Sequence, residues 1–393
     1  MLLRLLSRRG PVRVQPFFGF RNTDRLILNA RAIRAPEPKF EASSFWRGLA
    51  TMVGLYASHE VPGLVGELEY RCADGTIAKQ QATSGPEGFM RFDLDISAGC
   101  DRAERTRWER AIVRWADPDD LQRTGEAEAF ILTPGEKTRI GVISDIDDTI
   151  LETGITGNLR AIARNWKRVM AQMPSERVVV PGASDFYTAI GGDAMMPQAI
   201  EETPPGQFRP PRARVRPVFY VSSSPWNLFS YLVTFKRHRG LPLGPVMLRD
   251  WGFNRRTLGK EGHGSHKHDA IMRILEAFPK LRFALIGDDS QKDLVAFGKI
   301  AAEHPERVAA VFIRSVSGEP LSAEEIAARE AIEAASVPFW TGADYAAAQV
   351  FLESNGLDFE GGVERLVRTA SEGDPPDEQE LDDETASSVQ AAD

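Results

Sequence analysis

Two rhythms of apolar and polar residues divide the chain. From about residue 25 to 135 the apolar positions come in short runs, "RLILNARAI", "LVGELEYRC", "GFMRFDLDI" and "AEAFILTP", rich in β-formers or alternating with polar residues. Alternation with a period of two marks a strand buried on one face. The stretches "ADG", "SGPEG" and "TPGE" supply turns between the runs. This region predicts a small β-sandwich-like domain over 25–135. One stretch near its start, "EASSFWRGLATMVGLYASHEV", fits helix and strand equally. After Pro134 the rhythm changes. "RIGVISDID", "RPVFYVSSS", "LRFALIGDD" and "VAAVFIRSV" are apolar runs without clean alternation, the pattern of strands covered on both faces. Helical patterns lie between them: "NLRAIARNWKRVMAQM", "SPWNLFSYLVTFKRHRG" and "KHDAIMRILEAF". Strands alternating with helices predict an α/β domain over 136–355, a parallel sheet with helices on both faces. Ligands of such sheets bind outside the carboxyl ends of the strands, and the acids, serines and glycines of this region fall at those ends.

Composition narrows the picture. At 393 residues, 42% hydrophobic and 26% charged, the chain has the profile of a soluble protein with two domains. No apolar run approaches the roughly 20 residues a membrane span needs, and the opening "MLLRLLSRRG", broken by Arg4, lacks the features of a secretory signal. Cys72 and Cys100 are too few for a disulfide framework; they could pair, but free thiols in a reducing, cytoplasmic setting are the expectation. The net charge of -8 hides a polarity: the tail from Ser371 holds nine acids and no Lys or Arg, so the rest of the chain is close to neutral. Residues 1–24 read as a basic segment that could touch an anionic membrane surface peripherally, and 370–393 as an acidic disordered tail. A proline-dense insertion occupies 191–216.

The candidate chemistry opens with "SDIDDT". A calcium loop starting at Asp145 would need Gly at its sixth position and Glu at its twelfth, where this chain has Ile150 and Thr156, and it would follow a helix rather than a strand. Uncompensated carboxylates at a sheet end repel one another, so a hard cation and a phosphate are the expected occupants. Asp145, at the strand end, is a candidate nucleophile. Asp147 is a candidate general acid and base whose backbone carbonyl can face the metal, and Thr149 can hold the turn. Further along, Ser222, followed by Ser223 and Ser224, offers hydroxyl and N–H groups to a phosphate. "HGSHKHD" supplies Lys267, with His263 and His266 nearby, as a basic approach for phosphate. "LRFALIGDDSQKDL" brings a second carboxylate cluster: Asp288 is the candidate metal ligand, and Asp293 either ligates as well or holds Lys267. No Walker or G-x-G-x-x-G loop occurs.

The order of D-x-D-x-T, strand-end Ser, Lys and G-D-x-x-x-x-D resembles the four motifs of the haloacid-dehalogenase superfamily. "IGVISDIDDTILETGIT", "PVFYVSSSPWNLFSYL", "LRDWG", "HGSHKHDAI" and "LIGDDSQKD" resemble, more specifically, the actin-patch-associated Mg²⁺-dependent phosphatidate phosphatase family, including its bacterial members. The resemblance covers roughly 15–350; the Pro-rich insertion and the acidic tail depart from it. It implies a Rossmann-like sheet of the haloacid-dehalogenase type and hydrolysis of phosphatidic acid to diacylglycerol and phosphate through an aspartyl-phosphate. It also implies nucleophilic attack by Asp145, proton transfer by Asp147, orientation of the phosphoryl oxygens by Ser222 and Lys267, and Mg²⁺ held by Asp145, the Asp147 backbone and Asp288. A soluble phosphomonoester as substrate, or a non-catalytic phosphatidate-binding module, are the competing expectations; a nucleic-acid partner is not expected.

Overall fold

A computed structural model of the chain describes residues 11–34, 59–97, 100, 103–118, 120–146, 180–192, 211, 213–249, 263–290 and 292–358. Up to Thr133 every regular element among them is a strand: β1 (Val12–Pro16), β2 (Gly19–Arg21), β3 (Arg25–Arg34), β4 (His59–Glu60), β5 (Val65–Arg71), β6 (Ile77–Thr83), β7 (Phe89–Asp95), β8 (Arg107–Asp117) and β9 (Asp120–Thr133). The strands therefore begin inside the basic segment set at 1–24, because Val12, Val14 and Phe20 supply buried apolar positions there. Hydrogen bonds join all nine into one sheet of order β1-β3-β2-β9-β8-β5-β6, with β4 and β7 also on β3. The sheet folds over its own core: a Cβ at Gly66 of β5 would come within 2.8 Å of Met90 Sδ on β7. Between the layers Leu26, Leu28, Leu68, Phe92, Val113 and Ile131 are fully buried, the inward halves of alternating patterns.

The expectation of free thiols is overturned. Cys72 and Cys100 form a disulfide, with Cα atoms 5.0 Å apart, inside the span that such a bond requires. Cys72 sits in the β5–β6 turn and Cys100 follows β7. Their 28-residue separation gave no hint, because only the fold-over of β7 onto β5 brings them together.

The second half alternates strand and helix: β10 (Ile140–Ser144), α1 (Ala183–Gly191), β11 (Val218–Pro225), α2 (Phe229–His238), β12 (Val246–Arg249), α3 (His263–Ala277), β13 (Arg282–Asp288), α4 (Asp293–Glu303), β14 (Val308–Arg314), α5 (Ala323–Ala334), β15 (Phe339–Gly342) and α6 (Tyr345–Ser354). The six strands are all parallel, in the order β12-β11-β10-β13-β14-β15. Counted along the domain this is 3-2-1-4-5-6, a Rossmann-like order whose direction reverses between β10 and β13. The lack of alternation in these runs has a simple cause. Val142, Val218, Tyr220, Ala284, Ile286, Ala310 and Phe312 pack on one face with α1, α2 and α6. Their neighbours Ile143, Phe219, Val221, Phe283, Leu285, Val311 and Ile313 pack on the other with α3, α4 and α5.

The two halves share aromatic side chains. Phe17 and Phe18 pack on Phe229 at the start of α2, with ring centroids 4.8 and 5.4 Å away. Phe20 meets Phe219 and Phe278 at 5.8 and 5.7 Å, and the buried Arg31 guanidinium stacks over Trp226. Among the described residues no helix is long and apolar enough to cross a membrane. Residues 1–10, "NLRAIARNWKRVMAQM", most of the ambiguous stretch before Val61, most of the 191–216 insertion and the acidic tail lie outside the described residues.

Candidate active site

β10 and β13 lie side by side, Ser144 opposite Ile286, at the point where the strand order reverses. Asp145 leaves β10 with its N–H donating to Ile286 O at 2.8 Å, and Asp288 ends β13 beside it. Asp293 opens α4 and folds back toward the strand. Gly287 makes the room: a Cβ there would lie 2.6 Å from Asp293 Cβ and Oδ2. The turn also holds Lys292 in the left-handed region at φ 64°, a conformation that costs a non-glycine residue free energy. Asp293 Oδ2 accepts the Asp288 N–H at 3.1 Å. Asp288 Oδ1 accepts both the N–H and the hydroxyl of Ser290, at 2.6 and 2.5 Å.

Lys267, in the first turns of α3, points into this group. Its Nζ stands 2.9 Å from Asp145 Oδ1 and pairs with Asp293 Oδ1. All four side chains are almost completely buried, at 2% exposure or less. Oxygen atoms of Asp145, Asp288 and Asp293 lie within 4.8 Å of one another, a group that could hold a metal ion. The described cluster thus holds three carboxylates against one ammonium. Burial works to neutralise Lys267, but the charges of Asp145, Asp293 and Asp288 outweigh it and hold the ammonium protonated. Asp288 moves the other way: burial first, then the charge of Asp293, push its carboxyl up to about 7 against the pull of Lys267.

Ser222 lies fully buried in β11, opposite Leu248 of β12, where the pairing register shifts before Pro225. Asp145, Ser222, Lys267, Asp288 and Asp293 thus all lie at or next to strand ends of one sheet, and the structure brings Asp145, Lys267, Asp288 and Asp293 into contact. Asp147 and Thr149 lie outside the described residues. Ser223 and Ser224 are on β11 and His263 and His266 on α3, but their side chains also lie outside them. Two hydroxyls escaped the sequence reading. Ser144 Oγ donates to the Asp145 carbonyl at 2.6 Å. Tyr187 of α1 meets Ser144 Oγ at 2.5 Å, and its ring packs on that of Tyr345 of α6 with centroids 6.4 Å apart. Ser144 was visible within "GVISDIDDT"; nothing in the sequence tied Tyr187 to it.

Residues 140–315 match the family model described as phosphatidate phosphatase APP1, catalytic domain. Phosphatidate phosphatase APP1 of Saccharomyces cerevisiae is 30% identical over 191 residues, 48% of this chain and 28% of that protein. An uncharacterized protein of Schizosaccharomyces pombe is 22% identical over 241 residues, 61% of this chain and 35% of that one. The chain thus spans about a third or less of the length of these curated relatives. A solved Bifidobacterium dentium β-glucuronidase aligns with 84% of the chain and 60% of its own at 8% identity, but the TM-score of 0.22 is too low to bear on the fold. The stretch from β10 to the end of β14 is therefore APP1-like, as the motifs indicate, and the match stops short of β15 and α6.

Proposed function

We propose that the chain is a Mg²⁺-dependent phosphatidate phosphatase of the haloacid-dehalogenase type, releasing phosphate from phosphatidic acid and leaving diacylglycerol. The observation that carries this reading is the buried group of Asp145, Asp288 and Asp293 beside the Lys267 ammonium. Buried hard oxygen donors within reach of one another fit a small divalent cation. Asp145, the Asp147 backbone and Asp288 would hold it, and when bound it would offset the charge that builds on the phosphoryl oxygens.

The chain's own residues divide the remaining work. An Asp145 oxygen attacks phosphorus as the bond to the leaving glycerol oxygen breaks, and Asp147 delivers the proton that oxygen needs. Asp147, now a base, takes a proton from water. That water attacks the aspartyl-phosphate, and phosphate leaves with Asp145 restored. Lys267, kept charged by its neighbours, draws the phosphoryl oxygens toward the nucleophile without becoming a proton donor. Asp293 is occupied with Lys267 and the Asp288 N–H, which favours holding Lys267 over ligation. Ser222 completes the phosphate cradle together with Ser223, Ser224, His263 and His266, and Thr149 braces the turn. The basic N-terminal segment would bring the enzyme to the lipid surface from the aqueous side.

The test is phosphate release from phosphatidate in mixed micelles, for wild type and Asp145→Asn, each with Mg²⁺ and with EDTA. A Mg²⁺-dependent rate lost in the variant is the expected result. Release only from a small phosphomonoester would keep the chemistry and reject the lipid. No release from either substrate, with vesicle binding intact, would favour the binding module.

A further inference from the structure

The carbonyl of Asp145 sits where the sheet ladder opens. In a parallel pair the bonds alternate evenly from strand to strand. The Asp145 N–H already donates to Ile286 O at 2.8 Å, so the ladder would next carry the Asp288 N–H to the Asp145 carbonyl. Asp288 instead donates that N–H to Asp293 Oδ2 at 3.1 Å. The Asp145 carbonyl is taken by a side chain, Ser144 Oγ, at 2.6 Å.

Proton counting fixes the direction of everything behind that bond. A carbonyl only accepts, so the single Ser144 hydroxyl proton is committed to it. The 2.5 Å bond between Ser144 and Tyr187 must then be donated by the Tyr187 phenol. The Tyr187 proton is committed in turn to Ser144. Ser144 and Tyr187 are fully buried, where an unmade hydrogen bond is costly. The helices that carry the tyrosines are locked together: Phe186 stacks on Tyr345 with ring centroids 4.8 Å apart, and a Cβ at Gly182 would lie 3.2 Å from Tyr345 Cβ.

We propose that Tyr187 and Ser144 form a one-way hydroxyl chain that positions Asp145 for attack, both being positioning residues for the nucleophile. This rests on the reading of Asp145 as nucleophile. The chain and the N–H bond to Ile286 hold the two peptide planes that flank Asp145, whose carboxylate stands 2.9 Å from Lys267 Nζ.

The test compares kcat and KM on a small soluble phosphomonoester, in saturating Mg²⁺, for wild type, Ser144→Ala, Tyr187→Phe, the double variant and Ser144→Thr. Misplacing a nucleophile by a fraction of an ångström costs on the order of tenfold in rate. Ser144→Ala and Tyr187→Phe are each expected to lower kcat about tenfold with KM unchanged. The double variant should be no worse than either single one, since members of one chain do not act independently. Ser144→Thr, which keeps a hydroxyl, should restore most of the rate, and thermal unfolding shows whether each variant is folded at the assay temperature. Single variants within twofold of wild type in kcat, or losses that multiply in the double variant, would overturn the positioning role while leaving the nucleophile in place. A wild type without turnover on this substrate or on phosphatidate would remove the nucleophile reading, and this proposal with it.

Discussion

Glu109 and Asp288 are both buried carboxylates, and their surroundings drive them in opposite directions. Around Glu109, in the β-rich half, burial raises the pKa, but the hydrogen bonds and charge of Arg21, then Tyr70 and Arg107, win and hold it at about 2. Arg21 grips it with two nitrogens at 2.5 and 2.8 Å, Tyr70 donates its phenol, and Thr133 adds a bond at 2.9 Å. Around Asp288 burial and Asp293 win, and the carboxyl rises to about 7. The contrast separates two uses of buried charge. The first cluster balances its own charge and holds the fold together; the second gathers carboxylates that could hold a metal ion.

The largest effect that probes this contrast is on rate. Asp145→Asn is expected to cost on the order of 10⁴-fold or more in turnover, while denaturant unfolding in EDTA shows stability unchanged or raised, because one of three crowded carboxylates has gone. A clear loss of stability would mean that the cluster is structural after all. Glu109→Gln should do the reverse. It leaves Arg21 buried without its counter-charge and costs about 3 kcal/mol in urea unfolding, with kcat within about twofold of wild type under conditions where the variant stays folded.

The pH dependence sharpens the same point. Glu109 has a folded-state pKa depressed from 4.5 to about 2. Its contribution, about 3 kcal/mol for such a shift, is present in full above the unfolded value and lost as pH falls from 4.5 toward 2. The stability difference between wild type and Glu109→Gln should therefore shrink through that window; a difference independent of pH would remove the ion-pair account. The smallest effect concerns a third kind of buried charge. Lys236 is fully buried with no hydrogen-bond partner among the described residues, its Nζ 3.5 Å from the centroid of the Tyr220 ring. Burial pulls its pKa well below 10.5. For a base depressed in this way, stability is complete above the unfolded pKa and declines as pH falls below it. Lys236→Met should raise stability at pH 7 by about 1–2 kcal/mol and by nothing at pH 11; a loss at pH 7 would show that the amine has a role.

Much of this was legible in advance, for reasons that can be named. The parallel strands and the carboxylate motifs announce themselves because both-face burial removes alternation and because Asp145 and Asp288 directly follow or end apolar strand runs. Strand β6 was hidden because "IAKQQAT" buries no side chain. In β8, "RWERAIVRWAD" carries Arg110, Arg114 and Glu109 in charge pairs that mask its apolar positions. The disulfide and the Tyr187–Ser144 pair depend on which segments meet in space, which residue type and spacing do not encode. Asp293 is the instructive middle case: the sequence left ligation and Lys267-holding open, and the structure pairs it with Lys267 while keeping it in the group that could hold a metal ion.

The aromatic seam between the two halves sets a schedule for biosynthesis. Phe17 and Phe18 are synthesised some 200 residues ahead of their partner Phe229, a wait of roughly 10–40 seconds at ordinary elongation rates. Through that interval the β-rich half carries an uncovered aromatic edge that invites intermolecular association. Chaperone demand during translation, rather than the equilibrium stability of the finished molecule, would then limit the yield of this protein.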